Sequence, residues 1–292
     1  MTEPALWEPD RWQAAEAGYL DRVDALIAGH RDRRRTGAAH PVHDFLFSYY
    51  KLRPSQLRRW HPGAGIGLLA APHRLGWRFH IPGPVAGSVV VDVAQVCADR
   101  HDSIDLATRL LRATADRAPH FGCFGLHEWA MVYRSPDRRH QAWPLRLGPD
   151  GTDAVVRAHQ IRCSHFDAFR FFTPPARPRN LLQPNVTQRV QLEQPGCLHV
   201  GMDLYKWAYK LLPLVPSELV ADCFELARDI RAVDMQASPY DLSELGFPPI
   251  PIETAEGKAT YVARQREFAR RAQPLRGRLL DALSATTGSS PR

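Results

Sequence analysis

Apolar residues recur at helical intervals over most of the chain, and the densest run lies between residues 193 and 242. The spacing there predicts two consecutive helices joined at LLPLVPSE. In the first, 200–212, Leu204, Trp207, Ala208, Leu211 and Leu212 fall on one broad apolar face at about 100° per residue. His199 at its entry, Asp203, Lys206 and Lys210 share a narrow polar face. The second helix begins at Pro216 or Ser217, residue types suited to a helix start. Leu219, Cys223, Leu226, Ile230 and Val233 form its stripe, and Asp222, Glu225 and Asp229 line one edge. A basic row beside an acidic row predicts either an ion-pair seam or the lining of a pocket.

The same pattern places further elements. Residues 9–33 read as an amphipathic helix carrying Trp12, Ala15, Tyr19, Val23, Leu26 and Ile27 inward, with the basic cluster HRDRRR at its end. FLFSYY and PSQLRRW read as short helices. Alternation predicts strands at 77–81 and 88–93 around a Pro/Gly turn; β-branched residues make this a hairpin rather than a helix-hairpin-helix loop. Helices follow at 103–118 and 120–134, and a short aromatic one at AFRFF, entered through the capping pair Ser164 and Asp167. SPDRRHQAWPLRLGPDGTDAV reads as a loop, as does 177–193, which is placed to cover a site. A last helix at 254–283 contains Pro274, predicted to kink or split it. The expected fold is mainly α: a single multi-helix domain, 1–283, with a small β-hairpin element and a disordered tail, 284–292.

The segment HFGCFGLHEWAMVYR is apolar nearly all round, which predicts burial of His127 and Glu128. A buried carboxylate must be paired or protonated, and either condition shifts its pKa. Glu128 is therefore the first acid–base candidate; the alternative is a structural carboxylate bonded to Arg134 or another buried donor. The 127–128 helix, the 165–170 segment and the 199–206 helix start are expected to meet at one pocket.

Composition narrows the class. The 292 residues include 44% hydrophobic ones, enough for a substantial core, and a net charge of +7 favours anionic partners. Five scattered cysteines without a CxxC pair predict reduced thiols rather than a disulfide framework. No secretory signal and no run of about 18 apolar residues is readable, so a cytoplasmic protein without a membrane partner is expected. No protein partner is predicted.

FGLHEWAMVYR, IRCSHFDAFRFFTPPARPRN and PGCLHVGMDLYKWAYKLLPLVP, with HPVHDFLFSYY and LRRWHPG, carry a resemblance. The chain resembles a group of bacterial, largely actinobacterial, proteins termed 3-methyladenine DNA glycosylases. The resemblance spans residues 40–242 and implies a DNA-repair N-glycosylase excising alkylated purines. It brings no catalytic residues with it, so candidates come from the chemistry. Phosphates need a basic surface, for which the arginines at 33–35, 58–59 and 138–139 are available. An extruded base needs aromatic stacking, for which Trp129, Tyr205, Trp207 and Tyr209 are candidates. Bond cleavage needs a carboxylate or a lysine–aspartate pair: Glu128, Asp203 and Lys206 are the catalytic candidates. His43, His127, Trp129, Arg134, His140, His165, Asp167, Arg170, His199 and Trp207 are the substrate-binding candidates, with no cofactor.

An iron or zinc enzyme is the second reading, with His43, His127, Glu128, His165, Asp167 and His199 as ligand candidates. The chain lacks HxxxH, HExxH and ExxH spacings. A metal-free enzyme acting on a nucleoside-like or anionic metabolite, and a binding protein without catalysis, complete the alternatives.

Overall fold

The computed structural model describes residues 3–135 and 142–287. In chain order the strands are β1 (Ala5–Trp7), β2 (Ile66–Leu69), β3 (His80–Pro82) and β4 (Ser88–Val91). The first helices are α1 (Pro9–Thr36), α2 (Phe45–Tyr49), α3 (Pro54–Leu57), α4 (Val93–Asp99), α5 (His101–Ala115) and α6 (Leu126–Ala130). They are followed by α7 (Gly148–Ala158), α8 (Phe166–Phe169), α9 (Arg189–Leu192), α10 (Leu198–Lys210), α11 (Ser217–Gln236) and α12 (Ala255–Thr287). The protein is thus mainly α, and one apolar cluster runs from Trp12 to Leu283. No described helix is long and apolar enough to cross a membrane.

The α10–α11 pair makes the most extensive helix–helix contact among the described residues. Its apolar positions follow the sequence pattern: Leu204, Trp207 and Ala208 are buried on α10, and the whole predicted stripe is buried on α11. The two helices come close at Gly201, where a Cβ would stand 2.8 Å from Ile230 Cδ1. Of the predicted polar face of α10, Lys210 is exposed and Lys206 half-buried. His199 and Asp203 are buried with the core, so their charges must be met by other protein groups. The acidic edge of α11 is an ion-pair seam, but not with α10. Arg22 of α1 reaches Asp222 and Glu225 at 2.7 and 2.9 Å, while Arg271 and Arg278 of α12 reach Asp229 and Asp222.

Several local expectations change. The hairpin is present as β3 and β4, but it belongs to a four-stranded sheet of order β1-β2-β4-β3, with β1 parallel to β2. β1 and β2 are three and four residues long, too short to show a period, and are defined by pairing across 60 residues of chain. The predicted helix at 120–134 contracts to α6, because Phe124 and Gly125 before it and Arg134 after it take positive φ. The segment containing GPDGTDAV is a helix, α7, anchored by buried Thr152, Val155 and Val156. The N-cap position of α8 is His165 rather than Ser164, and its side chain makes no capping hydrogen bond. Pro274 lies within an uninterrupted α12, which carries residues 284–287 of the expected tail in helical form.

Candidate active site

α2, α6, α8, α10 and α11 converge on a pocket of about 260 Å³. Phe45, Ser48 and Tyr49 of α2 form one wall, and Phe45 and Tyr49, one helical turn apart, stack at 5.0 Å with 13° between their rings. Glu128 and Met131 come from α6 and the turn after it. Asp167 and Phe171 come from α8 and the turn that follows, His199 from α10 and Arg231 from α11. The three expected elements therefore meet. The volume is below the roughly 300–1,000 Å³ of drug-sized ligand sites, which suits a single ring system.

Behind the walls lie two joined networks of buried charge. In the first, Arg231 Nη1 donates to Glu128 Oε1 at 2.7 Å and to Asp234 Oδ2 at 2.9 Å. Its guanidinium carbon also lies 3.8 Å from the Phe45 ring centre. Asp234 Oδ1 stands 2.9 Å from His127 Nε2, and His127 Nδ1 faces Cys123 Sγ at 3.7 Å. The second network centres on Asp203. Its Oδ1 accepts from Tyr50 Oη and its Oδ2 from Lys206 Nζ, both at 3.0 Å. Lys206 Nζ also donates to Asp167 Oδ2 at 3.0 Å. His165 Nε2 and Arg189 Nη2 approach the same Asp203 oxygen at 3.4 and 3.6 Å, and Arg189 is held in turn by Glu193. The His199 ring bridges the networks, edge-on to His127 at 4.4 Å and stacked on His165 at 5.2 Å.

These contacts set the protonation states. Burial, the largest influence on each, pushes the carboxyls of Asp203 and Asp167 upward, but Lys206 together with His165, and Arg189 at Asp203, holds both below the ordinary range. The same pairing keeps the Lys206 ammonium above its usual pKa against the cost of burial. Burial opposes charge on His127, yet Asp234 raises its pKa well above the usual value. Burial, with His127 alongside, lowers that of His199 well below it. Tyr49, half-buried and facing Asp203 and Asp167, is pushed up to about 12 and stays a neutral phenol.

The sequence candidates separate accordingly. Glu128, Asp167 and His199 line the pocket; His127 and His165 lie directly behind it. Glu128 is bonded to Arg231, not to Arg134, which is exposed and stacks on Tyr133. Asp203 and Lys206 do not line the pocket: they brace Asp167 from behind, with Lys206 as a fixed ammonium rather than a free amine nucleophile. Trp129 is a core residue donating to the Ala237 carbonyl, and Trp207 is buried beneath the charged ends of Lys206, Lys210 and Arg189. Tyr205 is likewise fully buried. Arg170 is exposed, 3.5 Å from Asp167. His43 lies away from the pocket against His40 and Phe247, and so leaves the metal-ligand set. His140, Arg138 and Arg139 lie outside the described residues.

Sequence reasoning missed Arg231, Asp234, Arg189 and Glu193. The available signal was Arg231 and Asp234 at i,i+3, interleaved with the buried Ile230 and Val233. Beyond α2 lies an open groove of about 1010 Å³ lined by Arg31, Arg34, Arg35 and Arg53 with Asp24 and Asp32, and Ser48 borders both groove and pocket. Arg31 and Arg35 are paired with Asp24 and Asp32; Arg34 and Arg53 form no ion pair among the described residues. No family model, no curated protein and no solved structure matches this chain.

Proposed function

We propose that the protein is an N-glycosylase that removes alkylated purine bases carrying a positive charge, 3-methyladenine among them, from DNA. The observation that carries this reading is the pairing of aromatic walls with carboxylates in one small pocket: Phe45, Tyr49 and Phe171 beside Glu128 and Asp167. A ring system fits between the walls, and an electron-poor ring is favoured against aromatic faces and negative charge. The arginine groove on the other side of α2 supplies a surface for the phosphates flanking an extruded nucleotide.

The charge state of the site suits this chemistry. A purine nucleotide alkylated at ring nitrogen N3 or N7 is already cationic, so its base departs as a neutral molecule without a general acid. The bond between the sugar carbon and the ring nitrogen breaks, its electron pair stays with the base, and positive charge develops on the sugar. Asp167, held ionised by Lys206, faces that charge and accepts the proton lost when water attacks the sugar carbon. Glu128, fixed by Arg231, adds a second carboxylate to the lining of the pocket.

The test is to incubate purified protein with duplex DNA bearing 3-methyladenine, 7-methylguanine or uracil and to measure free base. Release of the two cationic bases with no release of uracil supports the reading. Uracil release, or no base release together with no affinity for DNA, refutes it.

A further inference from the structure

The two histidine–carboxylate clusters behind the pocket differ in one respect. In each, three ligand-type atoms lie within 4.8 Å of one another: His165, Asp167 and Asp203 in one, His127, His199 and Asp234 in the other. The first already holds a cation, because Lys206 Nζ sits 3.0 Å from both carboxylates. In the second, Arg231 Nη1 lies 2.9 Å from Asp234 Oδ2, while Asp234 Oδ1 pairs only with His127 among the described residues. His127 Nε2 and Asp234 Oδ1 are both buried and face each other at 2.9 Å, yet they are not aligned for a hydrogen bond. Apart from this ion pair neither atom has a hydrogen-bond partner among the described residues, and the side chains are only 2% and 0% exposed. Buried polar atoms rarely stay unpaired.

We infer that His127 Nε2, Asp234 Oδ1 and His199 form a binding site for one divalent first-row transition-metal ion. Two ligands each about 2.0–2.1 Å from an ion stand about 2.9 Å apart at the right angle of octahedral coordination and about 3.3–3.4 Å apart at the tetrahedral angle. The observed separation matches the first and needs a small opening for the second. Two histidines and one carboxylate are the donor set of open iron and zinc sites, and nitrogen donors select such ions over magnesium and calcium. The outer contacts are those that metal ligands need. The far nitrogen of His127 faces Cys123, and the far oxygen of Asp234 accepts from Arg231. The nearby carboxylates, Glu128 and Asp234, outnumber the one guanidinium, and an ion bound here would displace the proton that the pairing with Asp234 favours on His127. His199 also lines the pocket, so the ion would stand directly behind the wall that meets the ligand. This site rests on its own geometry and stands whether or not the ligand is a DNA base.

The full-length protein, stripped with a chelator and dialysed against Fe(II), Co(II) or Zn(II), gives the stoichiometry by elemental analysis. Crystals grown with Zn(II) give the position by anomalous scattering. One ion per chain, with a peak within about 2.2 Å of His127 Nε2 and Asp234 Oδ1, is the expected result. The His199→Gln and Asp234→Asn variants should lose at least tenfold in Zn(II) affinity; the scattering peak tests the site in wild-type protein even if a variant fails to fold. Absence of stoichiometric ion with all three metals overturns the inference. A peak at the Asp203 cluster or on the surface overturns it equally.

Discussion

Asp203→Asn keeps the shape of a side chain that is 2% exposed and removes the charge that Lys206, Arg189 and Tyr50 converge on. Breaking a buried ion pair costs about 3–5 kcal/mol, because the partner is left charged without compensation. Here Lys206 keeps Asp167 and Arg189 keeps Glu193. The expected loss therefore sits at the lower end, about 3 kcal/mol at pH 7, or about 5 °C in melting temperature for a chain of this size. Urea unfolding followed by circular dichroism measures it. The Asp203→Asn/Lys206→Met double variant removes both charges and should cost about 1–3 kcal/mol less than the sum of the single changes. The pH dependence has a definite sign. The folded-state pKa of Asp203 is held below its unfolded value, so its contribution is complete above about pH 4 and is lost as pH falls. The gap between wild type and Asp203→Asn should then narrow by about 1.4 kcal/mol per pH unit below that point. A single-variant loss below about 1 kcal/mol, strictly additive costs, or a gap that widens on acidification would refute the bracing role.

Asp44, whose pKa is held down to about 2 against burial by Arg33 and His30, makes a similar but more exposed contribution. Asp44→Asn should cost about 1–2 kcal/mol at pH 7 after allowance for solvent, and the difference should vanish between about pH 4 and pH 2 in thermal melts. Arg34→Ala and Arg53→Ala should each weaken binding to duplex DNA at every sequence and lower the salt slope by about one, read by fluorescence anisotropy. Phe171→Ala should raise the KM for methylated DNA about tenfold or more while leaving the salt slope unchanged, because it removes a ring contact worth about 1–3 kcal/mol rather than a phosphate contact.

Residues whose polarity conflicts with an apolar setting were the legible part of the site. His127 and Glu128 stand out in FGLHEWAMVYR, and His199 stands at the entry of the helix whose narrow polar face also carries Asp203 and Lys206, so their convergence could be anticipated. Arg231 and Asp234 were hidden by the same method, because a stripe is read from its apolar members and the charges between them pass as solvated edge. Helical spacing put His199, Asp203 and Lys206 on one face but could not say which turn reaches the pocket. His199 does; Asp203, one turn on, lies behind the wall and is bonded by Tyr50. Phe45, Tyr49 and Phe171 look like core in a sequence, since a wall ring and a core ring share the same period. In the fold, the long helices were legible from their periodicity. α7 was not, because Gly-Pro-Asp-Gly at its start signals a turn. β1 and β2 were not, because pairing between Ala5 and Ile66 leaves no local trace.

The most direct test of the pocket's role is single-turnover release of 3-methyladenine from methylated duplex by wild-type, Glu128→Gln and Asp167→Asn proteins, with melting curves recorded alongside. The account predicts losses of about 10²–10⁴-fold in rate for Asp167→Asn and a smaller loss for Glu128→Gln, with both proteins folded at the assay temperature. Wild-type release that survives both substitutions would contradict it and move the chemistry to another part of the molecule.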